Sequence, residues 1–347
     1  MNSFFIEYRD PLFSIIIFFV LIFIITFFSY WWSKHKRKED SKYLDKFLQN
    51  FQTPPTQGEL SVLISSGQLS IKSWLLLAGS YYKSGEYEKA IEIYNEVLKA
   101  DSLNSKETMF LLAKTYYKAG FLERSKQIFL EILKKNPRTP QALHYLLLVY
   151  EQMRDYRAAI EVLEPLAEQG EETTTLESYL HILTILSDAK LASEQKKELL
   201  LQLYKEYHEH DYLIFEYLFR VDTQSAWKNF DSSKSELLSD IFWQLSSEDL
   251  DLDIISKNGF LRELYSARGD LSLASSSSIF EFDILIKLQN RANATLAFEY
   301  VCESCKGVYP FVSHRCSSCH TIGSLRPEYR ITKDYYRDFS EENNSFQ

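Results

Sequence analysis

Residues 74–85 read WLLLAGSYYKSG, and residues 109–120 read MFLLAKTYYKAG. The two stretches lie 35 residues apart. A third version, LHYLLLVYEQMR, follows at 143–154 after a further 34, with Tyr150 in the place of Tyr116. The segments between them also repeat: Tyr87, Ala90, Tyr94 and Val97 are echoed by Leu122, Ser125, Phe129 and Ile132, then by Tyr156, Ala159, Leu163 and Leu166. Apolar positions recur at helical spacing in both halves of each copy, so every copy is a pair of amphipathic helices. Gly85 and Gly120 stand where the first helix must end, and Pro137 closes the second copy.

A helix pair of about 34 residues, with small residues at the crossing and aromatics between, resembles the tetratricopeptide repeat. One pair cannot bury its apolar face alone, so the copies must stack into a superhelix over 71–170. The resemblance makes the first helix of each pair line a concave groove. Its positions left over from packing include Leu75, Tyr82 and Lys83 in copy one, Phe110, Lys114, Tyr117 and Lys118 in copy two, and His144 in copy three. Tyr82 and Tyr117 beside Lys83 and Lys118 form an aromatic–basic strip suited to gripping a client protein. Beyond Gly170 the repeat wears out. Residues 176–186, 196–220, 236–245 and 279–290 keep helical spacing, so 171–298 is expected to continue the superhelix as degenerate pairs, the alternative being an independent helical domain.

Residues 12–32 run LFSIIIFFVLIFIITFFSYWW, 21 residues without a charge, which is long enough to span a bilayer. Tyr30, Trp31 and Trp32 suit an interfacial belt, and Lys34, Lys36, Arg37 and Lys38 follow at once. The positive-inside rule then leaves 1–11 as a short non-cytoplasmic end and puts the body in the cytoplasm, with the basic linker close to the lipid headgroups. The run is too long, and its leading segment too little basic, for a cleaved signal peptide. Residues 33–70 form a basic linker with an amphipathic helix near 40–51, broken at Pro54 and Pro55.

All four cysteines of the chain lie in an 18-residue stretch: Cys302, Cys305, Cys316 and Cys319, a C-x2-C-x10-C-x2-C pattern. Each C-x2-C turn presents two sulfurs to a common point, and the spacer suffices for a short hairpin, giving a ribbon- or rubredoxin-like knob over 299–330. Four thiolates close a tetrahedron and leave no open position, so the site is structural. Zinc is the first expectation and iron the alternative. His314 and His320 flank the site as neighbours, and 331–347 is expected as a tail.

The formal charge of −9 opposes general nucleic-acid binding, which needs a basic face. No phosphate-binding glycine loop, nucleophile elbow or H-E-x-x-H motif is present, so the chain reads as a non-enzyme. His208 and His210, with Glu206 and Glu209, read as a solvated helix face. The acidic run Glu248, Asp249, Asp251 and Asp253 lacks the glycine and terminal glutamate of a calcium loop.

An N-terminal anchor, a tetratricopeptide array and a terminal four-cysteine knob ending in Leu325-Arg326-Pro327 together resemble the bacterial lipopolysaccharide assembly protein B family. The chain departs from the family in having Lys306 where a glycine follows the second cysteine, His314 where an aromatic often stands, and Ile322 where a tryptophan often stands. The resemblance implies an all-α, cytoplasm-facing adaptor of the inner membrane with the four cysteines as metal ligands. It further implies partners: a lipid A biosynthesis enzyme and a membrane-anchored ATP-dependent protease that the adaptor brings together. Two other readings fit the same layout: a general scaffold for cell-envelope assembly, and a redox protein with an iron-loaded knob.

Overall fold

The computed structural model of the chain describes residues 18, 20–28, 57–67, 69–100, 105–288 and 293–333. Residues 20–28 are helical, but most of the expected membrane span at 12–32 lies outside the described residues, as does the expected helix at 40–51. No described helix is long and apolar enough to cross a membrane. The chain divides into two compact units, Met1–Gln169 and Gly170–Gln347.

In the first unit, α1 (Gln57–Ser65) precedes six helices of the repeat: α2 (Ile71–Lys83), α3 (Tyr87–Ala100), α4 (Ser105–Lys118), α5 (Leu122–Lys135), α6 (Pro140–Gln152) and the broken pair α7 (Tyr156–Glu161) and α8 (Leu163–Ala167). Ser70 caps α2 by accepting the Ser73 N–H, and Pro140 opens α6, where its missing N–H costs nothing. Gly85 and Gly120 take left-handed backbone at the end of each first helix, and the chain turns with Glu86 N–H donating to Tyr81 O and Phe121 N–H to Tyr116 O. In the third copy Arg154 occupies that same left-handed position, and Asp155 N–H donates to Tyr150 O. A non-glycine residue pays for that conformation in steric strain.

The pairs cross on fully buried small residues, Ala78 on Ala90 in copy one and Ala113 by Ser125 in copy two. Ser125 Oγ discharges its polarity onto the Ala113 carbonyl at 2.8 Å. Trp74, Tyr94, Phe129, Leu147 and Leu166 fill the space between helices and are all buried. Helix α1, in the stretch expected as linker, adds Leu60 and Ile64 to the core of the first pair.

The second unit begins with α9 (Thr174–Ser187), α10 (Ser193–Tyr207), α11 (Asp211–Val221) and α12 (Thr223–Asn229). After a 3-10 stretch at Ser232–Leu238 come α13 (Ser239–Gln244), α14 (Leu252–Lys257), α15 (Gly259–Arg268) and α16 (Phe280–Leu288). The helix expected over 196–220 is in fact two. It breaks at His208 and His210, both in left-handed backbone, so the histidines sit in a turn and not on a helix face. An aromatic cluster holds this unit: Phe215, Phe219, Trp227, Phe230 and Phe242 are all buried, and the Trp227 and Phe242 rings stack at 5.0 Å. Arg268 donates to the carbonyls of Phe242, Trp243 and Leu245, the open C-terminal end of α13.

A three-stranded antiparallel sheet closes the chain in the order β2 (Val308–Tyr309), β1 (Ala294–Cys302), β3 (Leu325–Lys333). β1 and β3 pair along their full length, from Ala294 opposite Lys333 to Cys302 opposite Leu325. The strands therefore run past both ends of the 299–330 stretch expected for the knob, so the fold is mostly helical with a small β-element and not all-α throughout. Alternation in ATLAFEYVC drives this: Leu296, Tyr300 and Cys302 are buried, while the residues between them are not.

Candidate functional site

The two cysteine turns are built alike. Cys302 N–H donates to Gly307 O and Lys306 N–H returns to Cys302 O; Cys316 N–H donates to Thr321 O and His320 N–H returns to Cys316 O. The residue after the second cysteine of each turn, Lys306 or His320, has a left-handed backbone with φ near 60°. The two turns face each other. Cys302 Sγ lies 3.6 Å from Cys319 Sγ, Cys305 Sγ lies 3.7 Å from Cys316 Sγ, and all four sulfurs fall within 4.8 Å of one another. Four sulfurs at about 2.3 Å from a central zinc would be separated by about 3.8 Å, so the arrangement fits a tetrahedral ion. Among the described residues this is the one grouping of His, Cys, Asp or Glu side chains close enough to hold a metal. The fit does not discriminate zinc from iron.

Neighbouring groups favour the thiolate form at Cys302 and Cys316, while desolvation and the adjoining cysteines push Cys305 up. The Ser324 hydroxyl stands 3.2 Å from Cys302 Sγ and, with backbone N–H groups, draws the Cys302 pKa down to about 6. The Tyr309 hydroxyl sits 3.2 Å from Cys316 Sγ. That approach depends on Gly307: a Cβ there would stand 2.7 Å from the Tyr309 hydroxyl oxygen. The roles of Ser324, Tyr309 and Gly307 escape a reading of cysteine spacing. The one visible hint was a glycine shifted by one place from where the turn is usually relieved.

The knob is joined to the helices of its own unit by named contacts. Tyr300 on β1 and Tyr212 on α11 both donate to Asp240 Oδ2 on α13, at 2.6 and 2.5 Å. Asp240 is buried, and its other oxygen, Oδ1, meets no side-chain donor among the described residues. Burial raises the Asp240 pKa, and the two tyrosine hydroxyls work against that rise. His314 Nε2 lies 3.3 Å from Glu216 on α11, the Arg315 guanidinium rides over Tyr179 on α9, and Tyr329 on β3 meets Phe282 on α16. His314 is thus turned to a carboxylate of the helices, and His320 serves the second turn.

In the repeat unit the expected groove residues divide into two sets. Tyr117 is 5% exposed, its ring against Tyr145 of the next copy and its hydroxyl receiving Gln152 Nε2 at 3.1 Å. Phe110 meets Phe129 and Tyr145 edge-on. These two rings bond copy to copy and do not offer free faces. Tyr82 is half-buried against Tyr87, and the Lys114 ammonium bridges the Tyr82 and Tyr145 rings at 5.4 and 5.7 Å. Lys83 is exposed, while Leu75, Lys118 and His144 are half-buried. Leu76, which the sequence pattern left out of the groove, is 66% exposed.

Comparison with known families matches residues 81–148 to the tetratricopeptide repeat. No curated protein matches the chain. Among solved structures, the chain is similar to MamA from Desulfovibrio magneticus RS-1, at 19% identity over 46% of this chain and 90% of that one, with a TM-score of 0.36. It is also similar to a tetratricopeptide repeat protein from Parabacteroides merdae, at 15% identity over 73% of this chain and 98% of that one, with a TM-score of 0.40.

Proposed function

We propose that this chain is a non-enzymatic, membrane-anchored adaptor that holds client proteins on its tetratricopeptide surface. The repeats of 81–148 belong to a module that binds other proteins in general. The observation that carries the reading is the first-helix surface of copy one. Leu76 and Lys83 are open to solvent there, with Leu75 and Tyr82 half-open beside them, so an apolar and a basic group are offered together to a partner. The layout of apolar run, repeats and four-cysteine knob supports placing the adaptor in a bacterial inner membrane with its body in the cytoplasm. Its resemblance to the lipopolysaccharide assembly protein B family supports a role in controlling lipopolysaccharide synthesis, by bringing a lipid A pathway enzyme to a membrane protease. In this reading the metal, zinc by preference, supplies cross-linking of the knob and no chemistry on a substrate.

A photo-crosslinking residue at Leu76 or Lys83 of the full chain, followed by mass spectrometry, tests the reading. The expected capture is a lipid A enzyme or a membrane protease, with lipopolysaccharide levels changing on deletion of the chain. Capture of other envelope-assembly proteins with unchanged lipopolysaccharide would leave the adaptor and remove the pathway. A red, reversibly reducible metal site would replace the adaptor with the redox reading.

A further inference from the structure

A cavity of about 300 Å³ opens inside the second unit, where the first turns of α9 and α11 meet the loops of the metal knob. Its apolar wall is made by Leu213, Leu237, Val312 and Ile322. Its polar wall carries His208, His210, His314 and Arg326. We propose that this cavity binds a small organic anion, a carboxylate or phosphate ester whose apolar body lies against the aliphatic wall.

Three features support that ligand class. First, both helices arrive amino end first. Thr175 of α9 and Asp211, Tyr212 and Leu213 of α11 line the cavity; the Glu172 carboxylate already takes the Thr174 N–H at the start of α9, whereas no side chain caps the first turn of α11. The intrahelical ladder of α11 starts with Ile214 N–H on His210 O at 3.1 Å, so the three preceding N–H groups lie before it. The uncapped positive end of α11 is thus turned to this space.

Second, one of the two carboxylates on the lining is already engaged. Asp211 takes Lys234 Nζ at 2.8 and 2.9 Å and the Tyr204 hydroxyl at 2.9 Å, so it does not oppose an incoming anion with a free charge. Glu209 lies 45% exposed, 3.7 Å from His210 Nε2. Third, the polar wall is fixed. The His210 side chain is 5% exposed, held at 2.9 Å by Ser178 Oγ and against the Tyr179 ring. Arg326 is braced by Glu303 at 2.9 Å and by the Gly323 carbonyl at 2.7 Å, and His314 by Glu216. Glu303 is an exposed partner, and an exposed ion pair yields readily to a better-placed anion. A volume of this size accepts a body about as large as one aromatic ring with its charged group, near the lower limit of small-molecule sites.

The test titrates the metal-loaded full chain in detergent with phenyl phosphate, phenylacetate and benzyl alcohol, followed by calorimetry. Saturable binding of one or both anions, and none of the neutral alcohol, is expected, and the preferred anion assigns the ligand's acid group. Arg326→Gln and His208→Gln should each weaken that binding about tenfold or more, as loss of a bond to a charged group does. Metal content and circular dichroism should stay unchanged. Leu237→Trp, which fills the cavity, should abolish binding. His208 is exposed and carries the test if the Arg326 change disturbs the metal. The proposal falls if the alcohol binds as well as the anions, if nothing saturates by about 10 mM, or if His208→Gln and Leu237→Trp leave the affinity where it was.

Discussion

The helices of the repeat unit and those of the four-cysteine unit solve the same burial problem by different means. In the first, α2 to α6 are each 13 or 14 residues long and cross on Ala78, Ala90, Ala113, Ser125 and Ala142, all fully buried. In the second, α12, α13 and α14 have only seven, six and six residues, and 3-10 turns separate them. Helices this short cannot sustain themselves and depend on tertiary contacts. Those contacts are an aromatic cluster on one side and, on the other, a sheet that carries the four-cysteine cluster. Regular repeats therefore spread their stability along the chain, whereas the second unit concentrates it at a few points.

The sharpest way to break that contrast is to remove the metal. Cys316→Ser opens the tetrahedron, and metal binding supplies on the order of 10 kcal/mol to small zinc-bound peptides. Hydrogen exchange should rise through β1 and β3 and also through α11 and α13, which Tyr212, Tyr300 and Asp240 tie to the knob. Exchange in α2 to α6 should hold. If only the sheet loosens, the helices of the second unit stand alone and the contrast is false. If the repeats loosen equally, stability is not divided as proposed.

A core deletion in the repeats gives the converse case. Phe129 is fully buried between Phe110 and Tyr145. Phe129→Ala should cost about 3–5 kcal/mol. The loss should appear as a lower melting midpoint for the repeat unit, with metal affinity unchanged.

How legible each unit was in the sequence follows from the same contrast. The repeats announced themselves because one crossing geometry demands a small residue at the same place in every copy. The cysteines did so because tetrahedral ligation fixes their number and spacing. Tyr117 reads as a groove residue because its spacing matches a groove position, while the structure lays its ring against Tyr145 two helices on and leaves it 5% exposed. The break at His208 and His210 carries no glycine, proline or asparagine to mark it, and the helical spacing on either side reads through it. Asp240 gave no signal at all. Its importance comes from two tyrosines 28 and 60 residues away, a relation set only by the fold.

Asp240 also gives the contrast a dependence on pH. Its folded pKa is raised by burial, so the folded state holds the proton more tightly than the unfolded chain does. The contribution is fully present below the ordinary value of 3.8 and is lost as pH rises through the raised folded value. Asp240→Asn should remove that slope from the second unit and leave the repeats untouched. Parallel denaturation curves, with metal content followed at each pH, check it. Tyr300→Phe should cost about 1.5–3 kcal/mol, as a lost bond to a charged group does, and a slope that survives Asp240→Asn would assign the pH dependence to another group.

The smallest effect tests whether the two units respond separately to one and the same backbone change. Arg154 in the repeats and Lys306 in the first cysteine turn both hold left-handed backbone, with φ of 59° at each, and their structural counterparts Gly85 and Gly120 show that glycine suits the first of these places. Replacing either by glycine relieves steric strain of about 1–2 kcal/mol, but the freer unfolded chain takes back about 0.4–1 kcal/mol. A net gain of about 0.5–1 kcal/mol remains. In Arg154→Gly it should appear as a higher denaturant midpoint for the repeats alone. In Lys306→Gly, if the turn folds as the metal binds, the gain should appear as metal affinity, roughly two- to fivefold. A Lys306→Gly chain that gains thermal stability without holding its metal more tightly would mean that the turn is already formed before the ion arrives.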